Sequence, residues 1–242
     1  MKTPSISRAG FAALIAIASS TAFAGRPLTT EDAGFIEKGG FELESYYYRE
    51  TVRETRPNRG FHIQPGVGIG FNTQIGVGFD YSRQYNEDYE ATKSSTVQAL
   101  VGKTAFKELT DDAFGIAVAW SVDRTRTPGD EKKGYRYNNA AINGVVTVPL
   151  DKWLFHANVG WTRSRLDRVT ATTWALAAER TEVIGKLDLA VETYGDDKAP
   201  GWVGVAARYA LIDERLFVDA SFAQQMLATR PRTLTVGLKL AY

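Results

Sequence analysis

The chain of 242 residues contains no cysteine, two histidines and two methionines. Without thiols, neither a disulfide framework nor a thiolate metal site can form. Long apolar runs are also missing: beyond the first two dozen residues none approaches the roughly 18 that a spanning helix needs. With 24% charged residues and a mean hydropathy below zero, this excludes helical pumps and transporters. No charge of one sign is in excess, since 29 basic side chains face 28 acidic ones. That balance excludes a general nucleic-acid binder. What the chain does have is glycine (22) and aromatic side chains, 12 Phe, 11 Tyr and 5 Trp.

Residues 1–24 carry Lys2 and Arg8, an apolar stretch from Phe11 to Ala18, and then Ala22-Phe23-Ala24, the small-x-small form that a signal peptidase accepts. This predicts a secretory signal peptide over 1–24, with the mature protein starting near Gly25 outside the cytoplasm.

From Phe41 onward, large apolar residues alternate with small or polar ones at a period of two, the pattern of strands rather than helices. Ile75, Val77, Phe79 and Tyr81 share one face, against Gln74, Gly76, Gly78, Asp80 and Ser82 on the other. Phe114, Ile116, Val118, Trp120 and Val122 form a second such face, and Leu234, Val236, Leu238, Leu240 and Tyr242 a third. Dividing the chain at its turn signals predicts strands near 40–51, 61–71, 74–84, 92–105, 113–123, 136–149, 153–165, 170–181, 185–194, 201–210, 214–224 and 232–242. Most are longer than soluble-sheet strands and suit a tilted bilayer crossing. The links alternate between tight ones, at 72–73, 150–152 and 211–213, and longer charged ones near 52–60, 85–91 and 124–135. The expected fold is therefore all-β: an antiparallel transmembrane barrel of about twelve strands with both termini periplasmic.

Outward aromatics should then gather where lipid meets water. Tyr81, Trp120, Trp161 and Phe222 fall at the expected outer ends, and Phe71, Phe114, Trp153, Tyr209 and Tyr242 at the periplasmic ends. The terminal aromatic Tyr242, preceded by alternating apolar positions, resembles the signature that outer-membrane proteins present to the barrel assembly machinery, an expected partner during insertion.

By parity the lumen receives Glu42, Glu44, Tyr46, Tyr48, His62, Gln64, Asp80, Gln98, Asn143, His156, Asn158, Lys186, Asp188, Glu192, Arg208, Asp219 and Lys239. Of these, Glu42, Glu44, Tyr46, Asp80, His156, Asp188, Glu192, Arg208, Asp219 and Lys239 are the lumen-lining candidates. Twelve strands lie between the eight that side chains can fill and the sixteen that leave an open pore. A lining of both signs is compatible with a salt-bridged plug or with opposed charges across a constriction.

Catalytic chemistry needs a nucleophile–base pair or paired acids in reach of one another. His62 and His156 belong to opposite ends of different strands and lie in no Ser/His/Asp motif, so no enzyme, cofactor or metal is expected. Gly66-Val67-Gly68-Ile69-Gly70 lacks the spacing and the following helix of a dinucleotide loop. The loop arginines, among them Arg53, Arg56, Arg59, Arg124, Arg126, Arg163 and Arg232, read as a solvated surface meeting lipopolysaccharide phosphates, with a dedicated anionic-solute site as the alternative. Outer-membrane lipid, lipopolysaccharide and a small-molecule solute are the expected partners.

Arg26-Pro27-Leu28-Thr29-Thr30-Glu31-Asp32-Ala33-Gly34, followed by Gly39-Gly40-Phe41-Glu42-Leu43-Glu44, resembles the opening of outer-membrane transporters of the phenol-degradation meta-pathway (MetA) family. The resemblance covers residues 26–44, with Thr-Glu-Asp here where the family has Thr-Asp-Asp. It implies a bacterial outer-membrane barrel passing small aromatic or hydrophobic compounds, and it carries over no substrate residues.

Residues 25–39 are too short and polar for a domain, leaving a periplasmic stub or a lumen plug ahead of the barrel at 40–242. A plug would set Glu31 and Asp32 near Arg208, Lys186 or Lys239. The leading functional expectation is a passive outer-membrane channel for a small solute, and the alternative a structural or adhesive barrel with a closed lumen.

Overall fold

The computed structural model describes residues 27–52, 56–86, 91–126 and 134–242. The expected signal peptide, and Arg53 among the loop arginines, lie outside the described residues. Twelve strands follow in chain order: β1 (Phe41–Thr51), β2 (Asn58–Gly70), β3 (Thr73–Asn86), β4 (Ala91–Lys107), β5 (Gly115–Arg126), β6 (Arg136–Leu150), β7 (Trp153–Ser164), β8 (Val169–Ile184), β9 (Leu187–Asp196), β10 (Trp202–Ile212), β11 (Leu216–Gln225) and β12 (Arg232–Ala241). Each pairs antiparallel with its sequence neighbours, and β1 pairs with β12 to close the barrel. Closure satisfies every strand edge, which is what allows a sheet to sit in hydrocarbon.

The ladder is sealed at its periplasmic end by reciprocal bonds between Phe41 and Tyr242, 2.7 Å and 2.8 Å. Apart from the β4–β5 link over 108–114, the turns at this end have two or three residues and the links at the other end are longer, the arrangement of an outer-membrane barrel. In the β2–β3 turn both Phe71 (φ 55) and Asn72 (φ 51) are left-handed, as a two-residue hairpin of type I′ requires. Phe71 is 96% exposed there, at the periplasmic boundary of the apolar belt.

The two faces separate as the alternation predicts. Val77, Phe79, Tyr81, Ile116, Val122, Phe155, Trp161, Leu234, Val236 and Leu238 are exposed on the outside, while Ala117, Ala119, Ala175, Ala177 and Ala190 are buried on the inside. An exposed apolar band without a protein partner is the surface a barrel offers to lipid.

β4 departs from the expected parity. Its lumenal residues are Val101, Lys103 and Ala105, all buried, while Leu100 and Phe106 face outward. Gln98, expected inside, stands outside and accepts a hydrogen bond from Arg124 Nε at 2.8 Å. The strand misleads because glycine occupies its lipid face at Gly102: a Cβ there would lie 2.6 Å from the Trp120 ring. Trp120 thus covers its neighbour in mid-strand, the sixth of the twelve residues of β5, rather than standing at an outer end.

Candidate functional site

The lumen holds part of the chain itself. Residues 28–40 cross it from β9 to β2, and lumenal side chains hold each step. Thr29 and Thr30 donate backbone N–H bonds to the Glu192 carboxylate at 2.9 Å, and the Thr30 hydroxyl adds a third at 2.9 Å. Asn158 clamps Glu31 from both sides, accepting its N–H at 2.7 Å and donating to its carbonyl at 3.0 Å. Ala33 N–H donates to Thr147 Oγ1 (2.9 Å) and Ile36 N–H to Gln74 Oε1 (2.6 Å). The segment leaves as a parallel bridge between Lys38 and Gly68, with Gly39 N–H on the Gly68 carbonyl at 2.9 Å. An irregular backbone has no ladder of its own, so the barrel supplies the partners that buried amides need.

Small lumenal residues make the room. Ala33, fully buried, packs against Ala105, Ala117 and Val145, with Phe35 beside them. Leu28 packs against Ala177, Ala190 and Ala206. Larger side chains on those strands would occupy the volume the segment fills.

At the middle of the crossing stands Lys103, buried on β4. Its Nζ lies 3.3 Å from Glu31 Oε2 and 3.5 Å from Asp32 Oδ1, and it donates to the Asp32 carbonyl at 3.0 Å. The two acids respond in opposite directions. Burial dominates at Glu31 and, despite Lys103, raises its carboxyl from 4.5 to about 7. At Asp32 burial works the same way but is outweighed by the charges of Lys103, Lys239 and His156, which hold it down at about 2.

Around this crossing the lumen divides in two. Toward the outer end lies a cavity of about 100 Å³ lined by Thr29, Glu31, Asn143, Asn158, Thr173 and Tyr194. Toward the periplasm lies one of about 160 Å³ lined by Asp32, Phe35, Glu42, Glu44, Lys103 and Lys239. Glu31 faces the first and Asp32 the second.

The lumen-lining candidates fall into three groups. Glu42 and Glu44 share Lys239, at 3.0 and 3.7 Å, in the periplasmic cavity. Arg208 bridges Asp188 (3.0 Å) and Glu179 (2.6 Å) on the β8–β10 wall, with Asp219 buried at the position in register with Arg208. Toward the outer end Tyr46 stacks on His62, centroids 4.8 Å apart, while Asp80 accepts the Tyr48 hydroxyl at 3.2 Å. Glu192 stands apart, holding the segment. Lys186 is not lumenal: it sits in the tight β8–β9 link, half-exposed and 2.7 Å from Asp213. Sequence parity missed Lys103 because β4 was read one residue out of phase, and missed Glu179 because that strand offers polar side chains on both faces.

His156 lies between Thr147 Oγ1, 3.0 Å from Nδ1, and Glu179 Oε2, 3.8 Å from Nε2. Thr147 is fully buried and already receives the Ala33 N–H, so its hydroxyl is covered by the crossing segment rather than presented to a substrate.

No protein-family model and no curated protein matches the sequence. Solved structures do match the fold. The COG4313 outer membrane channel from Pseudomonas putida F1 superposes with a TM-score of 0.63 at 9% identity, over 89% of this chain and 100% of that one. The KdgM porin, solved in complex with disordered oligogalacturonate, gives 0.59 at 11% identity, over 82% and 99%. The β domain of the Bordetella autotransporter BrkA gives 0.54 at 14% identity, over 85% and 100%. At these identities the likeness is one of architecture, and the architecture is that of outer-membrane β-barrels.

Proposed function

We propose that the protein is an outer-membrane channel for passive movement of a small solute, and that residues 28–38 form its constriction. The observation that carries this reading is the pair of cavities, one lined by Glu31 and the other by Asp32, on consecutive residues of the crossing segment. Ionisable groups inside a barrel pair with one another or mark a path, and the periplasmic cavity concentrates Asp32, Glu42, Glu44, Lys103 and Lys239 around open space.

The outer chamber favours a ring-bearing solute with hydrogen-bonding groups. Asn143 and Thr173 offer neutral donors and acceptors beside Tyr194, whose ring stacks on the buried Trp202 at 6.1 Å. The resemblance of residues 26–44 to the MetA-pathway transporters points to the same small aromatic class. The buried Thr147–His156–Glu179 arrangement fits a structural role, so the reading is not enzymatic. The alternative, a barrel whose lumen stays closed while its surface does the work, draws support from the density of bonds holding the segment.

Planar-bilayer recording decides between them. The refolded protein, checked by its heat-shifted gel band, should show small or intermittent conductance, and deletion of residues 28–36 should convert it to steady, larger steps. A folded deletion variant that stays silent would sink the channel reading.

A further inference from the structure

The outer rim of the barrel carries a feature that the lumen does not explain. Arg49, Arg59 and Arg83 are directly opposite one another on β1, β2 and β3, Arg49 with Arg59 and Arg59 with Arg83. All three are exposed and on the outward face. One step toward the membrane, in the same register, lies an aromatic row of Tyr47, Phe61 and Tyr81, each 46–47% exposed.

Cross-strand neighbours on one face are about 5 Å apart, and like charges set directly opposite destabilise a sheet. Among the described residues no carboxylate pairs with any of the three arginines. The nearest acids along their strands turn inward: Asp80 is hydrogen-bonded to the lumenal Tyr48, and Glu50 follows Arg49 on the other face. Three guanidiniums held together with no carboxylate partner among the described residues form a ready anion site, and guanidinium favours phosphate through its planar pair of donors.

Next to this row the lipid-facing wall is indented. An open groove of about 560 Å³ runs over β3–β6, lined by Val77, Phe79, Leu100, Val122 and Tyr137, with Arg124 among its lining residues. Arg124 is held there by Gln98 and lies over the Tyr135 ring at 5.2 Å. On β3 the outward face reads Arg83, Tyr81, Phe79, Val77 from rim to groove. Six residues of strand span about 20 Å. At the tilt of barrel strands that is about 15 Å of depth, one leaflet of a roughly 30 Å hydrocarbon core.

We propose that Arg49, Arg59 and Arg83, with Arg124 and the groove beside them, form a binding site for one phosphorylated outer-leaflet glycolipid, the lipid A part of lipopolysaccharide. Its phosphates sit on the arginine row, its sugars rest on the aromatic ring faces, and an acyl chain lies along Phe79 and Val77. The charge complementarity selects an anionic headgroup, and the groove selects one carrying chains. This site is independent of whether the lumen conducts.

The test uses the full refolded barrel in phosphatidylcholine nanodiscs doped with bisphosphorylated lipid A, with bound lipid per barrel read by native mass spectrometry. Wild type should retain lipid A. The combined Arg49→Gln, Arg59→Gln, Arg83→Gln variant should bind it at least about tenfold more weakly, given the strength of charge-assisted pairs. Dephosphorylated lipid A should bind wild type as poorly, inorganic phosphate should fail to displace lipid A, and Arg163→Gln on β7 should change nothing. Val77→Trp, which fills the groove and leaves the arginines intact, should also weaken binding. If the triple variant gives no heat-shifted band, Arg59→Gln alone, the central position, is read in the same way. Equal retention of lipid A by a folded arginine variant, equal binding of the dephosphorylated form, or displacement by inorganic phosphate would each overturn the site.

Discussion

At the scale of single residues, the proposed constriction rests on Lys103 against Glu31 and Asp32. Docked, the Glu31 carboxyl titrates at about 7 because it is buried, whereas released into water it returns toward 4.5. Between those values the docked state binds more protons than the released one, so acid favours docking and rising pH weakens it. A raise of this size is worth on the order of 3 kcal/mol across the window, all of it expressed by the time pH passes 7. Asp32 has the opposite sign, but its window, from 3.8 down to about 2, lies well below. Conductance should therefore be lower at pH 5 than at pH 8. Glu31→Gln, neutral throughout, should remove that difference and keep the channel in its low-conductance state at pH 8. Paired bilayer recordings of both proteins check this, and an unchanged pH response in Glu31→Gln would show that another group controls the crossing. The sequence leaves residues 25–39 as a periplasmic stub or a lumen plug and, for a plug, sets Glu31 and Asp32 near Arg208, Lys186 or Lys239; of these, Lys239 shares the Asp32 cavity and helps to hold that carboxyl down. Arg208 is already taken by Glu179 and Asp188, and Lys186 faces Asp213, so the direct ion-pair partner, beside the more distant Lys239, is Lys103 on the one strand whose parity is inverted.

At the scale of elements, the twelve strands were legible because the solvent on each side imposes a period of two: lipid requires large apolar groups outside, and a crowded lumen requires small ones inside. Predicted and observed strand ends differ by only a few residues at each turn. β4 was harder since Gly102 faces lipid beneath Trp120 and Lys103 faces the lumen, so neither face has a uniform character. The path of residues 28–40 left no periodic trace at all. Its course is written in the partners on other strands, Glu192, Asn158, Thr147 and Gln74, which no local pattern connects. The glycine run at 66–70 gains a specific meaning from this path. A Cβ on Gly68 would lie 1.9 Å from the Glu37 carbonyl oxygen and 2.3 Å from that of Ile36. Those are backbone atoms and cannot rotate aside, so Gly68→Ala should push residues 36–38 off β2 and break the bridge to Lys38. The barrel, whose β1–β2 and β2–β3 ladders do not depend on that Cβ, should still fold. We expect a normal heat-shifted band together with faster protease cleavage within 28–40 from the periplasmic side. A cleavage rate equal to wild type would mean that the segment is anchored without this contact.

At the scale of the whole molecule, the barrel couples two surfaces that the same alternation produces: an outer wall for lipid and an inner wall on which Arg208, Glu179, Asp188, Lys239, Glu42 and Glu44 pair across strands. The pairs are not spread evenly. The β8–β10 wall is locked by Arg208, Glu179 and Asp188, and the outer β1–β3 wall by Tyr46, Tyr48, His62 and Asp80. The periplasmic cavity instead lies on the β12–β1 side, where Lys239 faces Glu42 and Glu44 and Asp32 looks in from the crossing segment. On the proposed channel function, a solute or ion released past the crossing should leave along that wall, its selectivity set by the balance there of two lysines against three carboxylates. Replacing Lys239 by Gln removes one of the two cations and leaves Glu42 and Glu44 facing the path, which raises the local cation concentration. In a deletion variant lacking residues 28–36, the reversal potential across asymmetric potassium chloride should shift toward cation selectivity on Lys239→Gln. The shift should shrink at high salt, where the charges are screened. Lys186→Gln is the control, because that ammonium is paired with Asp213 outside the lumen and should leave the potential unchanged. A reversal potential indifferent to Lys239 would place the conducting path away from the β12–β1 wall.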